Sequence, residues 1–181
     1  MINELVKQIY KSLENDCYMT ALTTALILPD VCGKAAYPNE PSSRQRYIQW
    51  FDDNIGQYEK DLSTNPDMPY LNGEIVWDLR CSLIHEGNPN LKTNKTHINS
   101  FVLMWHDINS NQNMSGFSRV DTNDDGQIIR KVLSMDIRRI CLIICETAKQ
   151  YYKININKFN FFNYRIVNTD KELSDYMNNI L

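Results

Sequence analysis

Residues 72–87 read Asn72-Gly73-Glu74-Ile75-Val76-Trp77-Asp78-Leu79-Arg80-Cys81-Ser82-Leu83-Ile84-His85-Glu86-Gly87. Ile75, Val76, Leu79 and Leu83 recur at helical spacing and form one apolar stripe. Asn72 suits the N-cap. Gly87 suits the C-terminus, and Pro89 just beyond it is a usual stop signal. The stretch therefore predicts an amphipathic helix with one face buried, and the fold is read outward from it.

Upstream, Ile2, Leu5, Val6, Ile9 and Leu13 share one helical face, so a helix should run from the N-terminus to about Asn15. From Cys17 to Leu28 the chain is apolar on nearly every side, as in a helix at the middle of a bundle. Pro29 is expected to end it, with Asp30-Val31-Cys32-Gly33 as a tight connection. Ser42 with Gln45 makes a capping box for a helix whose stripe is Tyr47, Ile48, Phe51 and Ile55. Residues 62–71 carry Pro66 and Pro69 and read as loop. Downstream, Ile98 to His106 reads as a strand. Phe117–Val120 and Gln127–Leu133 flank the turn Asp121–Gly126 as a hairpin. Helical spacing returns at Ile137, Ile140, Cys141, Ile144, Cys145 and Ala148, with Ser134 or Asp136 as cap. Thr169 with Glu172 caps a last helix carrying Leu173, Tyr176, Met177 and Ile180. Fold class is mainly α, a helix-dominated α+β of about six helices with a small antiparallel β insertion.

The chain has 181 residues, of which 43% are hydrophobic and 23% charged, which suits one globular domain with a real core. The formal net charge of −3 excludes a protein that grips nucleic acid over its whole surface. The 5 cysteines include no CxxC pair and stand beside only 3 histidines. No zinc pattern can be assembled, no cofactor is expected, and the thiols read as reduced and the protein as cytoplasmic. The N-terminus lacks a basic n-region and a cleavage site, so no signal peptide is expected. No apolar run is long enough to cross a bilayer. A Walker loop, a dinucleotide fingerprint and H-E-x-x-H are all missing from the sequence, which disfavours P-loop hydrolysis, nicotinamide chemistry and zincin proteolysis.

On an ideal helix Arg80 lies at the edge of the buried stripe, where a half-buried guanidinium wants an anion. Asp78, Cys81, Ser82 and His85 share the opposite face. The helix dipole at His85 favours the imidazolium, and an imidazole at an exposed helix end can act as general acid or base. Arg80 and His85 point about 140° apart on such a helix. They can meet on one phosphate only if the helix breaks near Gly87 or a second protomer contributes.

The R-x4-H spacing of Arg80 and His85, within Leu79-Arg80-Cys81-Ser82-Leu83-Ile84-His85-Glu86-Gly87, resembles the signature of HEPN domains. These are small helical bundles whose members include metal-independent endoribonucleases. The resemblance covers about a dozen residues. It implies a single HEPN-like domain over 1–181 with a β-hairpin insertion around 97–133. It also implies that two protomers combine their motifs in one composite site, so a homodimer is expected. Arg80 would hold the scissile phosphate of RNA and His85 would move the proton of the 2′-OH attack, with Ser82 and Glu86 as helpers and no metal. Active members usually carry Asn, Asp or His after the arginine, where this chain has Cys81. The alternative is a catalytically inactive HEPN-like module that binds a nucleotide or a protein. No DNA-specific motif accompanies it.

Other features are weighed against plainer uses. Arg80 could instead bridge to Asp78, Asp30 or Glu74 inside the bundle, and His85 could bond the last carbonyls of its helix. Asp121–Gly126 matches the start of a calcium loop but lacks the bidentate carboxylate needed at its twelfth place, so a hairpin turn is the better reading. Cys81 and His85 are spaced for a nucleophile pair, without any third partner. His97 and His106 read as packing residues of the strand. Lys92, Lys95, Arg130, Lys131, Arg138 and Arg139 could rim a phosphate surface, or simply face solvent.

Overall fold

The computed structural model describes residues 1–59, 71–91, 98–106, 116–164 and 167–178. Helix α1 spans Ile2–Glu14 and buries Ile2, Val6, Ile9 and Leu13, the stripe read from the sequence. Each such side chain contributes about 2 kcal/mol when taken fully from water. The stretch expected as one helix over Cys17–Leu28 is instead two, α2 over Tyr18–Ala25 and α3 over Leu28–Ala36, joined at Leu26 and Ile27. Pro29 does not end a helix but sits in the first turn of α3. That position needs no backbone N–H and tolerates the fixed φ of proline. The supposed connection Asp30–Gly33 is therefore helical. Nor is α2 apolar all round, since Met19 and Thr20 face outward while Ala21, Leu22 and Ala25 are buried.

Helix α4 spans Ser43–Asn54, and the Ser42 hydroxyl accepts from the Gln45 amide at 3.2 Å. It buries Tyr47, Ile48, Trp50 and Phe51. Helix α5 spans Gly73–Cys81, with the Asn72 side chain accepting from the Ile75 amide at 3.0 Å. A Cβ on Gly73 would stand 2.5 Å from the Ile48 carbonyl oxygen, so only glycine lets α5 lie this close to α4. Residues Ser82–Glu86 continue α5 as a single π turn, closed by Gly87 in the left-handed region at φ 59°.

The strands are β1 (Ser100–Met104), β2 (Gly116–Thr122) and β3 (Ile128–Asp136), in the order β1-β3-β2. The β2–β3 hairpin is antiparallel as expected, with the Asn123 side chain accepting from the Gln127 amide across the turn. The β1–β3 pair is parallel, from Ser100 beside Val132 to Met104 beside Asp136, so the sheet is mixed rather than antiparallel. The hairpin occupies one edge of β3, and β1 takes the other. Strand β2 lies between β1 and β3 in the chain, so no hairpin turn joins β1 to β3 and their pairing is free to be parallel.

Helix α6 (Ile137–Ile154) follows β3 directly and packs on α1, α2 and α3. Asp136, and not Ser134, caps it by accepting from the Arg139 amide at 2.6 Å. Ile98, Phe101, Leu133 and Met135 bring one part of the sheet into the same core as the helices. The last helix, α7 (Thr169–Asn178), is capped by Asn168 rather than Thr169, since Asn168 Oδ1 accepts from the Lys171 amide. The architecture is helix-dominated with one small sheet. Among the described residues no helix is long and apolar enough to cross a membrane. All five cysteines are free thiols. Lys92, Lys95, His97 and Ile180, and most of the loop expected at 62–71, lie outside the described residues.

Candidate functional site

Arg80 and His85 meet within one protomer. The Arg80 guanidinium nitrogen Nη1 lies 3.2 Å from His85 Nε2. The cause is the π turn, in which the Gly87 amide bonds the Ser82 carbonyl five residues back. Each residue of a π turn advances less around the axis than in an α-helix. A five-residue step then falls nearer one full turn, and the separation expected on an ideal helix closes. A second protomer is not needed to bring the two groups together. Guanidinium nitrogens only donate, so this hydrogen bond requires a lone pair on Nε2 and hence a neutral imidazole with its proton on Nδ1.

The other side of Arg80 is anchored. Its Nε donates to Asp30 Oδ2 at 2.8 Å, with the two side chains 17% and 23% exposed. Asp30 reaches Arg80 because it stands in the first turn of α3, the turn that Pro29 was expected to prevent. Of the three bridges weighed for Arg80, the one to Asp30 forms, and Glu74 is paired with Arg44. The guanidinium also lies over the Trp77 ring at 5.0 Å and the Tyr47 ring at 6.0 Å. Such contacts suit a planar cation that is only partly hydrated. Burial raises the Asp30 carboxyl above its ordinary range, although Arg80, Arg46 and His85 all pull it down. Burial, and the Asp30 carboxylate after it, push the Tyr47 hydroxyl well above its ordinary value. That hydroxyl is fully buried and has no hydrogen-bond partner among the described residues.

The remaining sequence candidates divide. Ser82, expected on the open face with His85, is buried and bonds the Leu79 carbonyl at 3.0 Å. Through the π turn its hydroxyl is turned inward, away from the helper role. Glu86 is exposed one residue beyond His85. Burial raises the Cys81 thiol, against the pull of Arg80, which keeps it from the thiolate a nucleophile needs. Among the described residues the basic rim does not form as a unit. Arg139 grips Glu59 through two contacts of 2.8 and 2.7 Å, and Arg130 bonds Ser100. His106 is no mere packing residue, because its Nδ1 lies 2.7 Å from Asp136 Oδ2. Among the described residues no three His, Cys, Asp or Glu side chains are grouped to hold a metal ion.

What the arrangement offers is one fixed guanidinium beside one exposed imidazole, with a half-buried carboxylate, a tyrosine and a tryptophan around the guanidinium. Sequence reasoning placed Asp30 only as an internal bridge and did not find Tyr47 or Trp77. Trp77 stands three residues before Arg80 on α5, a spacing that sets the two side by side, whereas Asp30 on α3 and Tyr47 on α4 have no local spacing that links them to Arg80. Comparison with models of known protein families, with curated proteins and with solved structures finds no match for this chain.

Proposed function

We propose that Arg80 and His85 form the centre of a HEPN-like, metal-independent endoribonuclease. The observation that carries this reading is the 3.2 Å contact between the two groups across the π turn, at the surface of a single chain. In the resting site Arg80 occupies the His85 lone pair. A phosphate diester arriving at Arg80 competes for Nη1 and frees Nε2. His85 then takes the proton of the neighbouring ribose 2′-OH. The 2′-oxygen forms a bond to phosphorus, the bond from phosphorus to the 5′-oxygen breaks, and Arg80 stabilises the charge on the phosphoryl oxygens. The leaving 5′-oxygen takes a proton from a second acid, which a homodimer would supply from another copy of the chain. The need for a 2′-OH restricts the substrate to RNA.

The second reading is a silent module that binds an anion without cleaving it. The hydrogen bond already made by the His85 lone pair favours it. Mixed RNA incubated with the protein in excess chelator separates the two. Cleavage that falls by about 100-fold or more in both Arg80→Ala and His85→Ala supports the enzyme. Cleavage that persists in either variant overturns it. RNA binding that needs Arg80 but leaves the RNA intact assigns the silent module.

A further inference from the structure

A second cluster lies where α2, β1, β3 and α6 converge, and neither Arg80 nor His85 takes part in it. Trp105 follows β1, is 60% exposed, and stacks on Tyr18 with ring centroids 5.2 Å apart and planes 20° apart. Tyr18 backs the tryptophan from below. An indole held in this way is pre-positioned at no further ordering cost to take a second planar ring. Next in sequence, His106 is 29% exposed and rests on Asp136, whose side chain is 2% exposed. Asp136 also caps α6, so its carboxylate is fixed from two sides. That carboxylate keeps a proton on Nδ1, and Nε2 at the other edge donates to an anion when the ring carries both protons.

The first turn of α6 adds Arg138. Its Nη2 makes only a long 3.4 Å contact to the Leu13 carbonyl, and its Nε is buried without a partner among the described residues. Arg138 lies close enough to the Tyr18 oxygen to favour its ionised form, while the Tyr18 hydroxyl donates to Asp16 at 2.7 Å. Among the described residues Arg138 makes no ion pair, in contrast to Arg139, which is paired with Glu59. A half-buried guanidinium without a carboxylate favours an incoming anion. The amides at the end of α6 play no part, since Asp136 already closes that end. Recognition rests on side chains.

We propose that Trp105, His106 and Arg138 form a nucleotide-binding site, in which the base stacks on Trp105 and the phosphate meets His106 and Arg138. The ligand is a nucleotide unit, free or within a single strand. The site does not depend on cleavage at Arg80. Among the described residues, Asp136 and Asp16 are the carboxylates bonded to members of the cluster, and Asp16 forms no ion pair.

The test uses the full chain, fluorescein-labelled hexauridylate read by anisotropy, and unlabelled uridine monophosphate as competitor. Trp105→Ala and His106→Gln should each weaken oligonucleotide binding by at least about fivefold, the loss expected of one stacked base. Trp105→Phe, which keeps a ring, should retain most of the affinity. Since Trp105 projects into solvent, its removal should not disturb the circular dichroism. Competition by the monophosphate assigns a free nucleotide, and binding of the oligomer alone assigns a strand. Absence of binding by either probe at millimolar concentration overturns the site, as do Trp105→Ala and His106→Gln variants with parental affinity.

Discussion

Replacing Asp30 by Ala should destabilise the fold by about 2 kcal/mol. An exposed ion pair contributes about 0–1 kcal/mol, whereas removing one partner of a fully buried pair costs about 3–5 kcal/mol. Arg80 and Asp30 stand between these limits, with side chains 17% and 23% exposed. Asp30→Ala removes both the charge and the acceptor of the Nε bond, and leaves the guanidinium held against Trp77 unpaired. Arg80→Met keeps the apolar stem and leaves the carboxylate unpaired. Its cost should be smaller, because a carboxyl that burial already raises can escape by taking a proton. The double variant removes both charges and should cost no more than Asp30→Ala alone, which gives a coupling of about 1–2 kcal/mol. For a chain of this size the loss in Asp30→Ala corresponds to a drop in Tm of about 4–8 °C. Urea denaturation of the four proteins at pH 7 measures the cycle. Single variants within about 0.5 kcal/mol of the parent, or a double variant equal to the sum of the singles, would show that the pair does not anchor Arg80.

The pH dependence has a definite sign. Asp30 binds its proton more tightly folded than at its ordinary value of 3.8, so its contribution to stability is full below that pH and is lost as pH rises through the folded value. The stability of the parent should therefore carry a downward slope in that window which Asp30→Asn removes, and an identical slope in the variant refutes the assignment. Gly87→Val should cost about 1–2 kcal/mol, since a β-branched residue is forced to φ 59°. By disturbing the closure of the π turn it should also abolish RNA cleavage, and a variant as stable and active as the parent would sink the role given to that turn.

The sequence by itself determined most of the helices and the hairpin. Apolar spacing is a local property, so the buried faces of α1, α4, α5 and α6 could be read from residues such as Ile9, Phe51, Leu79 and Ile144. The caps at Ser42 and Asn72 were legible for the same reason, because each side chain bonds an amide three residues ahead. The break between α2 and α3 was not, since proline serves equally to end a helix or to begin one. Tertiary structure alone decided the parallel placement of β1, which depends on where the chain returns and not on its own pattern. It also decided the site. The spacing of Arg80 and His85 named two residues, but a change in helical pitch over five residues brought them together. Asp30 and Asp136 became partners of Arg80 and His106 through packing between distant segments. Side-chain electrostatics of that kind acts over a few ångströms in space and leaves no period in the chain.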